Sequence, residues 1–340
     1  MAKILVTGGA GYIGSHTCIE LLNAGHTVIV LDNLSNSAQE ALSRVEIITA
    51  QTLYFIEGDT LDAALLDHIF DQHKVDAVMH FAGSKVLEES QRLPLKYFEN
   101  NIASSIKLIQ AMQRAKVFRL VFSSSATVYD QTNVSPLDEN MSTVVPNSNY
   151  GYSKLVVEQL LERIAIADQR WSIAVLRYFN PVGAHPSGLI GEDPKDTPNN
   201  LLPYITQVAV GRREKLAIFG HDYNTLDGTG VRDYVHVVDL AHAHVCALNY
   251  RLNTQGCRVW NIGTGQGYSV LQIKDTFEQI NGVKIPYQFA ARRAGDVAIS
   301  FANNSRAVQE LRWQPRYTLA DMLADSWRWQ QHNPEGYKGA

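Results

Sequence analysis

Cysteine is scarce in this sequence: Cys18, Cys246 and Cys257 are the only three in 340 residues. They are widely separated, with neither metal-ligand spacing nor the even count of a disulfide framework. That usage suits a reducing, cytoplasmic setting. Long apolar runs are also missing, and nothing approaches the ~20 residues of a membrane span. The amino terminus, Met1-Ala2-Lys3-Ile4-Leu5-Val6, runs straight into glycines and lacks a signal h-region. Charge of one sign is not in excess: 30 Lys and Arg stand against 34 Asp and Glu, a net charge of −4. No basic surface therefore advertises nucleic acid. Repeats and low-complexity tracts are absent too. The length suits one large α/β domain or two unequal ones.

What is present begins at once. Lys3 to Thr7 reads as a buried strand, followed by Gly8-Gly9-Ala10-Gly11-Tyr12-Ile13-Gly14 and a helix through Leu22. Strand, glycine turn and helix together are the context that gives a glycine motif meaning. Gly8 would make the tight turn, Gly11 would let the backbone reach a pyrophosphate, and Gly14 would let helix pack on strand. The helix amino terminus would face the anion. A second strand, Thr27 to Leu31, ends at Asp32, where a carboxylate would bond ribose hydroxyls and repel a ribose phosphate. NAD is expected over NADP.

Further strand–helix pairs follow at Leu53–Ile56 and Leu61–Gln72, then at Ala77–Phe81 and Pro94–Ala115, with another strand at Leu120–Ser123. This alternation predicts an α/β fold with a doubly wound parallel Rossmann sheet. Ligands of such sheets lie beyond the carboxyl ends of the strands. The rule nominates Asp59-Thr60, Phe81-Ala82-Gly83-Ser84-Lys85 and Ser123-Ser124-Ser125-Ala126-Thr127. After the strand Ser172–Arg177 the chain from Asn180 to Pro203 turns irregular. A domain junction is expected near residue 180: residues 1–180 for the dinucleotide, and 181–340 for a smaller α+β substrate domain. Residues 233–262, a helix with Asp239 as its cap and a strand, are expected to return to the main sheet.

Tyr150-Gly151-Tyr152-Ser153-Lys154 opens a helical pattern, so Tyr150 and Lys154 share one face. An ammonium beside a phenol favours the phenolate, which predicts a lowered pKa and a general base near neutral pH. His242-Ala243-His244, with His236 and Asp239 close by, superficially suggests a metal site. Residues two apart on a helix point in different directions, so no metal is expected there.

With these residues the chain resembles the extended short-chain dehydrogenases/reductases and, within them, the UDP-glucose 4-epimerases, over essentially its whole length. The matching segments are Thr7–His16, Leu31–Leu34, His80–Gly83, Ser123–Tyr129, Leu176–Ala184, Gly228–Tyr234 and Arg292–Asp296. The resemblance implies a bound NAD and transient oxidation of the sugar at C4, with Tyr150 taking the hydroxyl proton. Ser125 would bridge that hydroxyl to Tyr150, with Thr127 as a helper. Lys154 would bond the nicotinamide ribose. Tyr12, Ile13, Asn33, Asn36, Ser37, Lys85, Asn100 and Phe179 match family cofactor contacts. On the UDP-sugar side, Arg232 and Arg293 would face the diphosphate and Asp296 the ribose. Tyr178, Asn180, Asn200 and Leu201 would line the nucleotide and sugar.

Three departures stand out. Val86-Leu87-Glu88-Glu89-Ser90 is bulkier and more acidic than the family loop near the sugar site, Asp130 replaces a glycine, and Tyr152 stands where lysine is frequent. Ser300 is small where enzymes restricted to the unsubstituted hexose carry tyrosine, so the resemblance implies room for a 2-acetamido group. A nucleotide-sugar dehydratase or decarboxylase is the nearest alternative, but Ala126-Thr127-Val128-Tyr129 lacks the acid pair of the 4,6-dehydratases. A non-catalytic NAD-binding regulator would have little use for Tyr150, Lys154 and Ser125 together. A homodimer through helices near 94–115 and 151–167 is expected from the family.

Overall fold

The computed structural model describes residues 1–340 except 145, 147, 196, 197, 252, 253, 294 and 340. Ala294 of the Arg292–Asp296 segment thus lies outside the described residues. Six strands alternate with helices from the amino terminus: β1 (Lys3–Thr7), β2 (Thr27–Asp32), β3 (Tyr54–Glu57), β4 (Ala77–His80), β5 (Arg119–Ser123) and β6 (Ser172–Tyr178). With the later strand Gly256–Ile262 they form one parallel sheet, ordered Gly256–Ile262, β6, β5, β4, β1, β2, β3. The chain winds outward from β1 in both directions, so a crevice opens between the carboxyl ends of β1 and β4.

The sheet is buried on both faces, which is why its strands read as continuous apolar runs. Successive side chains enter opposite layers. Ile4, Val6, Val28, Val30 and Met79 meet Ile19, Leu22, Leu240 and Leu248 from the helices Tyr12–Asn23 and Val237–Arg251. Leu5, Ile29, Leu31 and Val78 meet Leu66, Ile69, Leu108, Val157 and Leu161 from the helices Ala63–His73, Ser104–Arg114 and Asn149–Ala167.

Beyond β6 the chain builds a second, smaller sheet around Val231–His236. Asn180–Val182 and Ile299–Ser300 join it in parallel and Gly267–Ser269 antiparallel. Leu216–Phe219 and Tyr287–Ala290 pair separately. Helices Leu201–Ala209, Val270–Asn281 and Leu319–His332 close a core that includes Ile205, Phe277 and Leu323.

Three local expectations change. The bulky stretch after Lys85 is a helix, Leu87–Arg92, with Glu88 and Glu89 in its first turn and Arg92 in its last, a placement that suits the helix dipole. The long helix expected from Pro94 is broken by a π-helical turn at Phe98–Ala103, which carries Asn100 and Asn101. Asp239 lies within the first turn of the Val237–Arg251 helix but does not cap it. Its buried carboxylate accepts the backbone N–H groups of Arg316 and Tyr317 and the Arg316 Nε, pinning a distant loop.

Candidate active site

Gly8 ends β1 with φ +72°, and a Cβ there would stand 2.7 Å from the backbone nitrogen of Ala82. Glycine therefore serves two needs, the left-handed turn and the close passage of the loop after β4. A Cβ on Gly14 would stand 2.2 Å from the Gly8 carbonyl oxygen, so the helix sits on the turn only because Gly14 is bare. At Gly11 the nearest atom is that same carbonyl at 3.3 Å, and the rest of its surroundings is open. Gly11 caps the Tyr12–Asn23 helix without any side chain. The first-turn N–H groups are left to an anion from outside the helix.

Asp32, at the end of β2, is buried and tied on both oxygens. Oδ2 accepts from Ala10 N at 3.0 Å, and Oδ1 from Leu34 N at 2.9 Å and Ser37 Oγ at 2.8 Å. The carboxylate thus joins the glycine turn to the loop after β2 and keeps lone pairs for hydroxyls. Asn33 Nδ2 donates to Asp59 Oδ2 at 2.7 Å, which brings the loops after β2 and β3 together. Asn36 is exposed, Thr60 is buried, and Ile13 packs partly on the core. Tyr12 reaches away from the turn and donates to the Gly183 carbonyl at 2.6 Å.

Phe81 packs on His244, ring centroids 4.7 Å apart. After Ala82 the chain turns at Gly83, where a Cβ would lie 3.0 Å from Asn101 Oδ1 and 3.8 Å from Lys154 Nζ. Asn101 was not singled out from the sequence, yet it organises this corner. Its Oδ1 accepts from Ser84 N, and its Nδ2 donates to the Ser84 carbonyl at 3.0 Å and to Ser153 Oγ at 2.9 Å. Asn100 Oδ1 accepts from Ser84 N and Oγ. The π-helical turn allows two consecutive asparagines to bind one loop.

Ser148 caps the Asn149–Ala167 helix by accepting from Gly151 N, which fixes the start of the helix and with it Tyr150 and Lys154. The phenol of Tyr150 is buried, and the hydroxyls of Tyr178 and Ser125 act on it. Its pKa is pushed well above the usual phenol range by burial first and by Tyr178 second, with the Ser125 bond opposing. The lowered phenol expected from the Tyr–Lys spacing is therefore corrected. Lys154 is engaged elsewhere: Nζ donates to the Ser123 carbonyl at 3.0 Å and lies 4.8 Å from the centre of the Phe122 ring. Burial lowers the lysine to about 8, against an upward pull from Glu158.

Ser125 caps a short 3-10 turn, and its Oγ accepts from Thr127 N at 3.2 Å and Thr127 Oγ1 at 2.9 Å. Thr127 thus orients Ser125. The preceding Ser124 donates to Glu158, which is paired with Arg177 at 2.6 Å. Phe179 is buried in a cluster with Val128, Tyr129, Leu137, Leu155 and Ala302.

The remaining expected residues belong to the second sheet and the loop before it. Lys85 Nζ meets Glu192 Oε1 at 3.1 Å, and Asn200 Nδ2 donates to the same oxygen at 2.7 Å. Glu192, also missed, ties the loop after β4 to the residue before the Leu201–Ala209 helix. Asn180 is exposed at the start of its strand, and Leu201 begins the Leu201–Ala209 helix. Arg232 pairs with Asp296 at a loose 3.4 Å and sits in register with Ser300 on the adjacent strand. The Arg293 guanidinium lies 4.2 Å from the centre of the Phe219 ring. His242 and His244 diverge: His242 meets Glu20 and Cys246, whereas His244 is buried beside Phe81.

Residues 4–263 match the model of the NAD dependent epimerase/dehydratase family. UDP-glucose 4-epimerase of Bacillus subtilis (strain 168) is 55% identical over 337 residues, which cover 99% of this chain and 99% of that one. UDP-glucose-4-epimerase of Stenotrophomonas maltophila, solved with bound NAD and formylated UDP-arabinopyranose, superimposes with a TM-score of 0.96 at 49% identity, covering all of both chains. The Bifidobacterium longum UDP-glucose 4-epimerase, in complex with NAD+ and UDP, gives 0.95 at 48% identity, covering 98% of this chain and 99% of that one.

Proposed function

This chain belongs to the NAD dependent epimerase/dehydratase family, and we propose that it interconverts UDP-glucose and UDP-galactose through a transient 4-keto sugar. The observation that carries the reading is the grouping of the buried Tyr150 and Ser125 with the partly buried Tyr178, one loop from the glycine turn. The turn fits a dinucleotide: open space at Gly11, a helix start without a side-chain cap and a carboxylate with spare lone pairs at Asp32. NAD, when bound, supplies a hydride acceptor that gives the hydride back, and a cationic ring in its oxidised form.

The chain's own residues do the rest. The first-turn amides of the Tyr12–Asn23 helix hold the pyrophosphate, and Asp32 takes the ribose hydroxyls. Asp59, Asn33, Ser37, Asn36 and Thr60 surround the adenosine end, and Lys85, Asn100, Gly83 and Lys154 the other. Tyr150 Oη receives the proton of the sugar 4-hydroxyl, with Ser125 Oγ as the bridge and Thr127 orienting it. A raised phenol is a poor base alone, so the site depends on added positive charge before proton transfer. Arg232 leaves Asp296 for the diphosphate, and Asp296 is then free for the uridine ribose. Both side chains are partly exposed and their pairing is long, so parting them costs little.

The small Ser300 beside Arg232 extends the reaction to UDP-N-acetylglucosamine and UDP-N-acetylgalactosamine. Residues 1–180 with 233–262 serve NAD, and the rest of 181–340 serves the nucleotide sugar. Two copies pair through the outer faces of the helices near 94–115 and 151–167, where Val156, Leu160, Ile164 and Ala167 line an open groove. Among the described residues no helix is long and apolar enough to cross a membrane, and the cytoplasm is the proposed site of action.

The test is an assay of purified protein on UDP-galactose and UDP-N-acetylgalactosamine in parallel, first without added NAD, with products separated by chromatography. Conversion of both supports the whole reading. Conversion of UDP-galactose alone retains the epimerase and removes the wider pocket. Conversion of neither, even with NAD supplied, overturns the substrate assignment.

A further inference from the structure

Away from the cleft, the Val237–Arg251 helix lies against the Tyr12–Asn23 helix, and their seam holds three chemically active side chains. His242 and Cys246 are four residues apart and share one face. Cys246 Sγ lies 3.4 Å from His242 Nε2, and His242 Nδ1 lies 3.4 Å from Glu20 Oε2. A thiol, an imidazole and a carboxylate in line, the last holding the ring, is the arrangement that activates a nucleophile. None of the three takes part in the proposed epimerisation.

The surroundings set this sulfur apart from the other two. Cys18 is fully buried, reaches only the Gly9 carbonyl at 3.9 Å, and is pushed up by burial. Cys257 is pushed up to about 12, again by burial first, and among the described residues the charged groups acting on it are Arg251, Glu158, Glu162 and Arg177 rather than a histidine. Cys246 is partly exposed, as is His242. The His242 ring is raised to about 9 by the bond to Cys246, then by the bond to Glu20, with burial and Arg316 opposing. Both partners thus favour the protonated ring, which places a proton donor 3.4 Å from the sulfur.

We propose that Cys246 is the reactive thiol of this chain, a modification site at which His242 and Glu20 activate sulfur toward small alkylating agents and hydroperoxides. With an alkyl iodide, an S–C bond forms as the C–I bond breaks and iodide leaves. With a hydroperoxide, sulfur bonds the terminal oxygen as the O–O bond breaks. Sulfur gives two electrons to the peroxide, and the leaving alkoxide takes a proton from His242. The product is a sulfenic acid, the first and reversible rung of thiol oxidation.

The test labels the full-length protein with limiting iodoacetamide and follows each cysteine by peptide mass spectrometry. Cys246 is expected to react about tenfold faster than Cys257 and Cys18, and His242→Asn to slow it about tenfold. Glu20→Gln is a second, milder variant expected to slow it severalfold. Epimerase turnover and urea midpoint, followed alongside, should be unchanged in His242→Asn. Equal labelling of Cys246 and Cys257, or a Cys246 rate untouched by both variants, overturns the proposal.

Discussion

Glu158 and Arg177 form an ion pair of 2.6 Å with both side chains almost wholly buried, and the same carboxylate takes the hydroxyl of Ser124. Ser124 lies between Ser123, whose carbonyl holds Lys154, and Ser125, whose hydroxyl lowers the Tyr150 phenol against its burial. Removing one partner of a buried pair strands the other charge, at a cost of about 3–5 kcal/mol. Glu158→Ala should therefore lower the urea midpoint and slow turnover together. Full activity with an unchanged midpoint would show that the pair does not hold the loop.

Tyr150→Phe keeps the ring and loses the proton acceptor. Turnover should fall by about 10²- to 10⁴-fold, while NAD remains in the purified protein and UDP still binds. Absorbance of the released cofactor and a calorimetric titration with UDP separate lost chemistry from lost binding.

At Ser300 the expected effect is selective. Ser300→Tyr places a large side chain beside Arg232, so conversion of the N-acetylated sugars should disappear while UDP-galactose is still epimerised. Parallel loss of both activities would indicate general damage to the small sheet.

Three buried histidines predict an acid limit to stability. In the fold His16 and His80 are lowered to about 3 and His244 to about 4, all mainly by burial, from an ordinary 6.5. Below 6.5 the unfolded chain binds protons that the folded chain refuses. Their stabilising contribution is thus complete above pH 6.5 and lost as pH falls toward 4 and then 3. Each adds a slope approaching about 1.4 kcal/mol per pH unit. His244→Leu should remove one such share, read as a shallower decline of the urea midpoint between pH 6.5 and 4.

Gly14→Ala tests the packing of helix on turn. Its Cβ would fall 2.2 Å from the Gly8 carbonyl oxygen, so the turn must shift. Protein purified with little or no NAD and a lowered melting temperature is the expected result; undiminished NAD content would mean that the turn adapts.

The large sheet was legible because its strands are continuous apolar runs, and the NAD site because glycine spacing and a terminal Asp32 are local signals. Sequence spacing also placed Tyr150 and Lys154 on one helix, but the direction of the phenol's shift was not local. It depends first on burial by the surrounding chain and then on Tyr178, 28 positions along the chain. Asn101 and Glu192 escaped notice for the same reason, since Asn101 meets Ser84 and Ser153, 17 and 52 residues away, and Glu192 meets Lys85, 107 residues away. The helix Leu87–Arg92 is different. Its early glutamates and late arginine were signals in plain view. The π-helical turn at Phe98–Ala103 has no such signature in residue type.

The seventh strand of the large sheet, Gly256–Ile262, and the helix Val237–Arg251 that covers one face are separated from β6 by strands of the smaller sheet. During synthesis the ribosome thus releases six strands long before the last one. Until residue 262 has emerged, β6 is an open edge and part of the layer containing Ala174, Leu176 and Val235 lacks its cover. The nascent chain must carry that exposed surface for some 80 residues, a span of several seconds at ordinary elongation rates. A stop codon anywhere in that interval leaves a sticky fragment in place of a smaller enzyme.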